Sequence, residues 1–212
     1  NKRSRKNWGE LIIGFGLLFI GLEFLKNSMP NLDENPEMFT FLQEYADMGY
    51  ASYILFMLIG TVLTILIQSS SATMALTLVM CANGWINFEI AASMVLGENI
   101  GTTVTANLAA MVANSTAKRA AFAHFLFNVF GVIWVLSIFP LFLGWIEALS
   151  VAMGIGNPET SVEAVPMALS LFHTAFNISN VLILIWFTKL IARFATKIIP
   201  AQETGNDAFK LK

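Results

Sequence analysis

Residues 51–82 read ASYILFMLIGTVLTILI, then QSSS, then ATMALTLVMCA: seventeen mainly apolar residues, four polar ones at Gln68-Ser69-Ser70-Ser71, and an apolar resumption that stops before Asn83-Gly84. A helix needs roughly 20 apolar residues to cross about 30 Å of hydrocarbon. Neither arm reaches that length with comfort. The two lengths predict a re-entrant hairpin that enters the membrane and turns back at its polar tip; one helix of about 30 residues that tolerates the four polar positions is the alternative.

The surrounding chain has the same character. Of its 212 residues 56% are hydrophobic and 12% charged, with a mean hydropathy of +0.67, whereas an ordinary soluble domain is about 25% charged. A soluble fold could not hide so much apolar surface, and the pattern is that of an all-α membrane protein with several spans. The net charge of -2 and a pI near 5.7, with basic residues at segment ends rather than on a stripe, exclude nucleic acid as a partner. Cys81 is the single cysteine and lies in an apolar run, and no Cys/His cluster has zinc spacing. Disulfide and metal-scaffold classes drop out.

Upstream, residues 8–27 read as a first span, with Gly14, Gly16 and Gly21 along it and Glu23 near its end. The preceding Lys2, Arg3, Arg5 and Lys6 mimic the start of a secretory signal, but no small-residue cleavage pattern follows. Residues 28–49 are polar and acidic and read as an exposed loop with a short surface helix. Downstream, residues 85–96 and 104–113 are apolar and Gly97-Glu98-Asn99-Ile100-Gly101-Thr102-Thr103 interrupts them, which predicts a discontinuous helix. A long span is expected over 120–143, a loop over 144–164, and a last span over 165–188. The transmembrane unit is thus 1–199, and 200–212 is a polar tail or linker.

Basic residues concentrate at the start, at Lys118-Arg119 and at Lys189, Arg193 and Lys197. Cytoplasmic loops carry such excesses. The expected topology is therefore a multi-pass protein of the cell inner (plasma) membrane with both termini cytoplasmic.

Broken helices survive in hydrocarbon only where protein or a water-filled cavity covers the freed backbone groups. Two breaks point to a cavity. The start of a half-helix favours an anion, and the carbonyl end of the preceding half-helix favours a cation. Ser69, Ser70, Ser71 and Thr73 add hydroxyls, and Gln68 both donates and accepts. Glu98, Asn99, Thr102 and Thr103 offer a carboxylate, an amide and two hydroxyls, a set suited to sodium as a hard ion. No Lys or Arg lies mid-span, so an anionic substrate would need bound cations to balance its charge. The bland alternatives are serines that pack helices or bond to their own backbone, and a Glu98 that sits in an aqueous vestibule or pairs with histidine. His124 and Asn128, like His173 and Asn177, repeat the pattern His-x-x-Phe-Asn and share a helix face. They read as interhelical hydrogen-bonding posts.

At Gln68-Ser69-Ser70-Ser71-Ala72-Thr73, then Gly97-x-Asn99-Ile100-Gly101-Thr102-Thr103, then His124-x-x-Phe127-Asn128, the sequence resembles the type II sodium/phosphate cotransporter family, especially its bacterial members. The likeness covers roughly residues 9–190. It implies sodium-driven import of inorganic phosphate by alternating access, with sodium as the coupling ion, no other cofactor and no enzymatic step. Gln68, Ser69, Ser70, Ser71 and Thr73 then lie in the substrate path, and Glu98, Asn99, Thr102 and Thr103 are the sodium candidates. The family carries two inverted repeats, each with its own Gln-Ser-Ser-Ser, and this chain has one such motif. It resembles the second half of an inverted-repeat transporter, to be completed by a second repeat of a parent chain or by a homodimer partner. Glu98 stands where the family often has a small residue.

Two other classes compete. An intramembrane serine hydrolase would use a nucleophile among Ser69 to Ser71 and His124 or His173 as base. No Gly-x-Ser-x-Gly elbow is present, and three consecutive serines exceed what one nucleophile needs. A channel or ion-binding subunit would conduct without coupling.

Overall fold

The computed structural model describes residues 2–28, 40 and 44–200. Most of the expected loop over 28–49, with its surface helix, and the tail beyond Pro200 lie outside the described residues. Among the described residues the chain is helical and contains no strand. The long helices are α1 (Lys2–Asn27), α2 (Tyr50–Ile67), α3 (Ser70–Ala82), α4 (Phe88–Ala110), α5 (Ser115–Ser137), α6 (Phe139–Ala152), α7 (Val165–Leu184) and α8 (Thr188–Ile198). Single 3-10 turns at Val162–Ala164 and Ile185–Phe187 flank α7. Four stretches among the described residues are long and apolar enough to cross a membrane: Arg3–Phe24, Tyr50–Ile67, Ser115–Ser137 and Val162–Ile198. The helices α3 and α6 are apolar but shorter.

The helix starts are written in the sequence. Asn87 caps α4 by accepting from the Ile90 amide at 2.9 Å, and Asn114 caps α5 by accepting from the Ala117 amide at 2.9 Å. Pro140 and Pro166 stand in the first turns of α6 and α7, where a missing N–H costs nothing. The expected span over 120–143 is accordingly divided. It ends at Ser137, Ile138 forms the junction, and α6 takes up the first part, 144–152, of the stretch 144–164 that reads as loop. The last span, expected over 165–188, is α7 with the turn at Ile185–Phe187, and a further helix, α8, follows it.

The centre of the fold is α4, with twelve of its residues buried, from Phe88 to Thr103. It packs against α2, α3, α5 and α7. A core of Phe88, Phe139, Phe142, Phe172 and Phe176 joins α4 to α6 and α7. By contrast α1 buries nothing across its apolar window.

The discontinuous helix expected at Gly97–Thr103 does not form: α4 runs unbroken from Phe88 to Ala110. The glycines serve close packing instead. A Cβ at Gly97 would overlap the Met57 carbonyl of α2, and one at Gly101 would lie 2.7 Å from the Thr64 Cβ. Thr61 Oγ1 donates to the Gly97 carbonyl at 3.0 Å across this contact. The polar side chains need no break either. Thr102 donates to the Glu98 carbonyl, Thr103 to the Ile100 carbonyl and Asn99 to the Val95 carbonyl, all within the helix.

The interruption at the serine motif does form. After Ile67 the chain takes a left-handed step at Gln68 (φ 59°, ψ 24°), whose amide donates to the Thr64 carbonyl at 2.8 Å. Ser69 is extended and starts α3. A single helix through the four polar residues is therefore not what this sequence adopts.

Candidate functional site

A cavity of about 440 Å³ opens where four helices meet. It is lined by Ser70, Ser71 and Met74 of α3, by Glu98, Asn99 and Thr102 of α4, by His124, Phe127 and Asn128 of α5, and by Ser170, His173, Thr174 and Asn177 of α7. The lining contains no Lys or Arg, and Glu98 is its only carboxylate.

The helix break supplies one wall. An α-helix leaves its first amides without intrahelical acceptors. In α3 the Ala72 amide donates to Ser69 Oγ at 3.3 Å and the Thr73 amide to the Ser69 carbonyl at 3.0 Å. The amides of Ser70 and Ser71, the two serines that line the cavity, are the ones this cap leaves over. Their N–H groups and hydroxyls, with the positive end of the α3 dipole, suit an anion.

The facing wall on α4 has the opposite character. Glu98 is buried, with 2% exposure, and accepts one hydrogen bond, from Thr77 Oγ1 at 2.9 Å. The Asn99 amide nitrogen is used at the Val95 carbonyl (2.9 Å) and the Thr102 hydroxyl hydrogen at the Glu98 carbonyl (2.8 Å). What these three residues have left is mainly oxygen lone pairs, with one further N–H on Asn99. Asn128 and Asn177 are alike: each amide nitrogen gives one N–H to the His124 or His173 carbonyl, at 3.1 and 2.8 Å, which leaves the amide oxygen and a second N–H. An acceptor-rich pocket around a buried carboxylate is costly when empty of positive charge and suits a hard cation.

Five of the residues singled out from sequence thus meet here: Ser70, Ser71, Glu98, Asn99 and Thr102. Four do not line the cavity. Gln68 is exposed at the left-handed step, Ser69 is the cap of α3, and Thr73 and Thr103 are fully buried and bonded to carbonyls of Ser69 and Ile100. The two His-x-x-Phe-Asn copies do contribute, which their reading as interhelical posts misses. Each Asn bonds back to its own His carbonyl. The post between α5 and α7 is Asn180, which donates to the Phe127 carbonyl at 3.3 Å and accepts from Trp134 Nε1 at 3.3 Å. The repetition of the motif was the available signal, since one pattern copied on two helices places matching groups on both. No hydrogen bond among the described residues joins a serine of the motif to a histidine.

Residues 42–157, from before α2 to just past α6, match the family model described as Na+/Pi-cotransporter. The chain belongs to the Na+/Pi-cotransporter family. This cotransporter-family match takes in three of the four cavity walls, those on α3, α4 and α5. The chain is 31% identical to YqeW of Bacillus subtilis over 200 residues, covering 93% of this chain and 59% of YqeW. It is 29% identical over 200 residues to YjbB of Escherichia coli (strain K12), whose name proposes inorganic phosphate export, covering 34% of that protein. It is 42% identical over 93 residues to sodium-dependent phosphate transport protein 2C of Rattus norvegicus, 42% of this chain and 16% of that one. The cotransporter-family chain therefore spans between a third and three-fifths of the length of the bacterial relatives it matches. No solved structure matches it.

Proposed function

We propose that this chain carries the substrate site of a sodium-coupled phosphate transporter, which imports inorganic phosphate across the plasma membrane by alternating access. The observation that carries the reading is the juxtaposition, in one cavity, of the first-turn serines of α3 with the oxygen-rich face of α4. Phosphate is held by the amides and hydroxyls of Ser70 and Ser71. Sodium is held by Glu98, Asn99 Oδ1 and Thr102 Oγ1. Because no lysine or arginine lines the cavity, the cation offsets the charge of the anion, and each ligand raises the affinity for the other. Gln68 and Ser69 shape the tip; Thr73 and Thr103 support it from the buried side.

Import follows from that coupling, since phosphate that binds with sodium moves with it down an inward sodium gradient. The name of YjbB points the other way, and a flux measurement decides. In our reading α2 and α3 form a re-entrant hairpin and both termini are cytoplasmic, as the basic residues at either end of the unit favour. The remainder of a longer parent chain, with the other of two inverted repeats, or a second copy of this chain completes the path.

The test is uptake of labelled phosphate into proteoliposomes holding the full chain, under sodium and under potassium gradients, with Ser70→Ala and Gln68→Ala alongside. Sodium-dependent uptake that the variants lose is the expected result. Uptake of equal size in both gradients removes the coupling. Silence from this chain and from a longer relative with both repeats removes the phosphate assignment.

A further inference from the structure

A second cavity, also about 440 Å³, lies at the same level of α5 as the polar one but on the opposite face of that helix, and is lined only by apolar side chains, among them Leu126, Phe130, Leu184, Phe187, Leu190 and Phe194. Its floor is the junction where α7 gives way to α8. At 20 residues α7 is about 30 Å long, enough by itself to cross the hydrocarbon. The apolar stretch Val162–Ile198 has 37 residues, so its end must leave the hydrocarbon. The 3-10 turn at Ile185–Phe187 is where the helix geometry changes, and the segment beyond it carries Lys189, Arg193 and Lys197.

Four-residue spacing sorts α8 into stripes. Ile191 and Ala195 are buried, on a helix that packs along α5. Leu190, Phe194 and Ile198 form an exposed apolar stripe, and Lys189, Arg193 and Lys197 form an exposed basic stripe beside it. Among the described residues none of these three cations makes an ion pair. The far end of α8 is fixed by Arg119, whose Nε donates to the Ile199 carbonyl at 2.8 Å.

We propose that this groove, flanked by Lys189 and Arg193, binds one acyl chain of an anionic phospholipid whose headgroup phosphate is held by those two cations. Charge complementarity selects the occupant. A second copy of the chain would bring an identical basic stripe against this one, and a zwitterionic lipid would bring its own cation beside these two and leave their charge uncompensated. A basic stripe next to an apolar one, at the point where a span leaves the hydrocarbon, is the arrangement that anionic headgroups recognise. The site is separate from the polar cavity and does not depend on what that cavity transports.

The test is native mass spectrometry of the full chain in detergent, titrated with dioleoyl phosphatidylglycerol or dioleoyl phosphatidylcholine. One phosphatidylglycerol is expected to bind in preference to phosphatidylcholine. The double variant Lys189→Gln/Arg193→Gln is expected to bind it about thirtyfold more weakly, from roughly one kcal/mol per cation. Leu190→Trp, which fills the groove and keeps both charges, is expected to lose it as well, and unchanged lipid-free unfolding midpoints establish that both variants fold. Equal binding of the two lipids, phosphatidylglycerol affinity unaltered in the double variant, or a protein dimer that phosphatidylglycerol does not dissociate would each overturn the proposal.

Discussion

At Gln68 a non-glycine residue occupies left-handed backbone (φ 59°), a conformation that costs an L side chain about 1–2 kcal/mol. Glycine there would relieve the cost, so Gln68→Gly is expected to leave stability equal or raised by roughly 1 kcal/mol while lowering phosphate transport. Thermal unfolding and flux on the same preparation check the two halves. Glu98→Gln keeps the shape and the hydrogen bond from Thr77 but removes the charge. Phosphate affinity in saturating sodium is expected to fall about tenfold, with a flatter sodium dependence, measured by equilibrium binding. At this scale the clustering of polar residues in the sequence anticipated five side chains that meet in one cavity, Ser70, Ser71, Glu98, Asn99 and Thr102. Thr73 and Thr103 do not line the cavity, because their hydroxyls turn to the Ser69 and Ile100 carbonyls. Both threonines are fully buried and bonded to backbone.

Among the elements, α4 shows how composition can suggest a break that geometry does not make. Gly97 and Gly101 with polar neighbours read as an interruption, yet the glycines lie against α2 and the polar groups bond to their own helix. Small residues four apart let helices approach closely, and that reading competes with a break whenever no left-handed backbone accompanies them. Gly97→Val would push into the Met57 carbonyl and is expected to cost about 1–3 kcal/mol, seen as a lower midpoint in denaturant unfolding. Pro140 falls inside the expected span over 120–143, and the new helix it starts was not legible, since a proline near a span end reads equally as a late kink or as a first turn. The break at Gln68-Ser69, by contrast, was set by four consecutive polar residues that no single helix face can hide.

For the whole molecule, the basic residues at Arg119 and those near Ile199 belong to one face, because the Arg119 guanidinium reaches the Ile199 carbonyl. Cys81 is buried, which leaves a quiet background for introduced thiols. Thr116→Cys and Thr196→Cys are expected to react with an impermeant maleimide from the same side of the membrane, and Thr160→Cys from the other. Labelling of all three from one side would remove the proposed topology. What faces the cavity walls of α3, α4, α5 and α7 was not legible, since nothing in one motif states what lies opposite them.

Whether the polar cavity binds phosphate together with sodium is read by equilibrium binding of radiolabelled phosphate to the purified full chain, with sodium replaced by potassium at constant ionic strength. Affinity is expected to rise with sodium, Glu98→Gln to flatten the rise, and Ser71→Ala to lower affinity at every sodium concentration. Phosphate binding with the same affinity in sodium and in potassium would contradict joint binding.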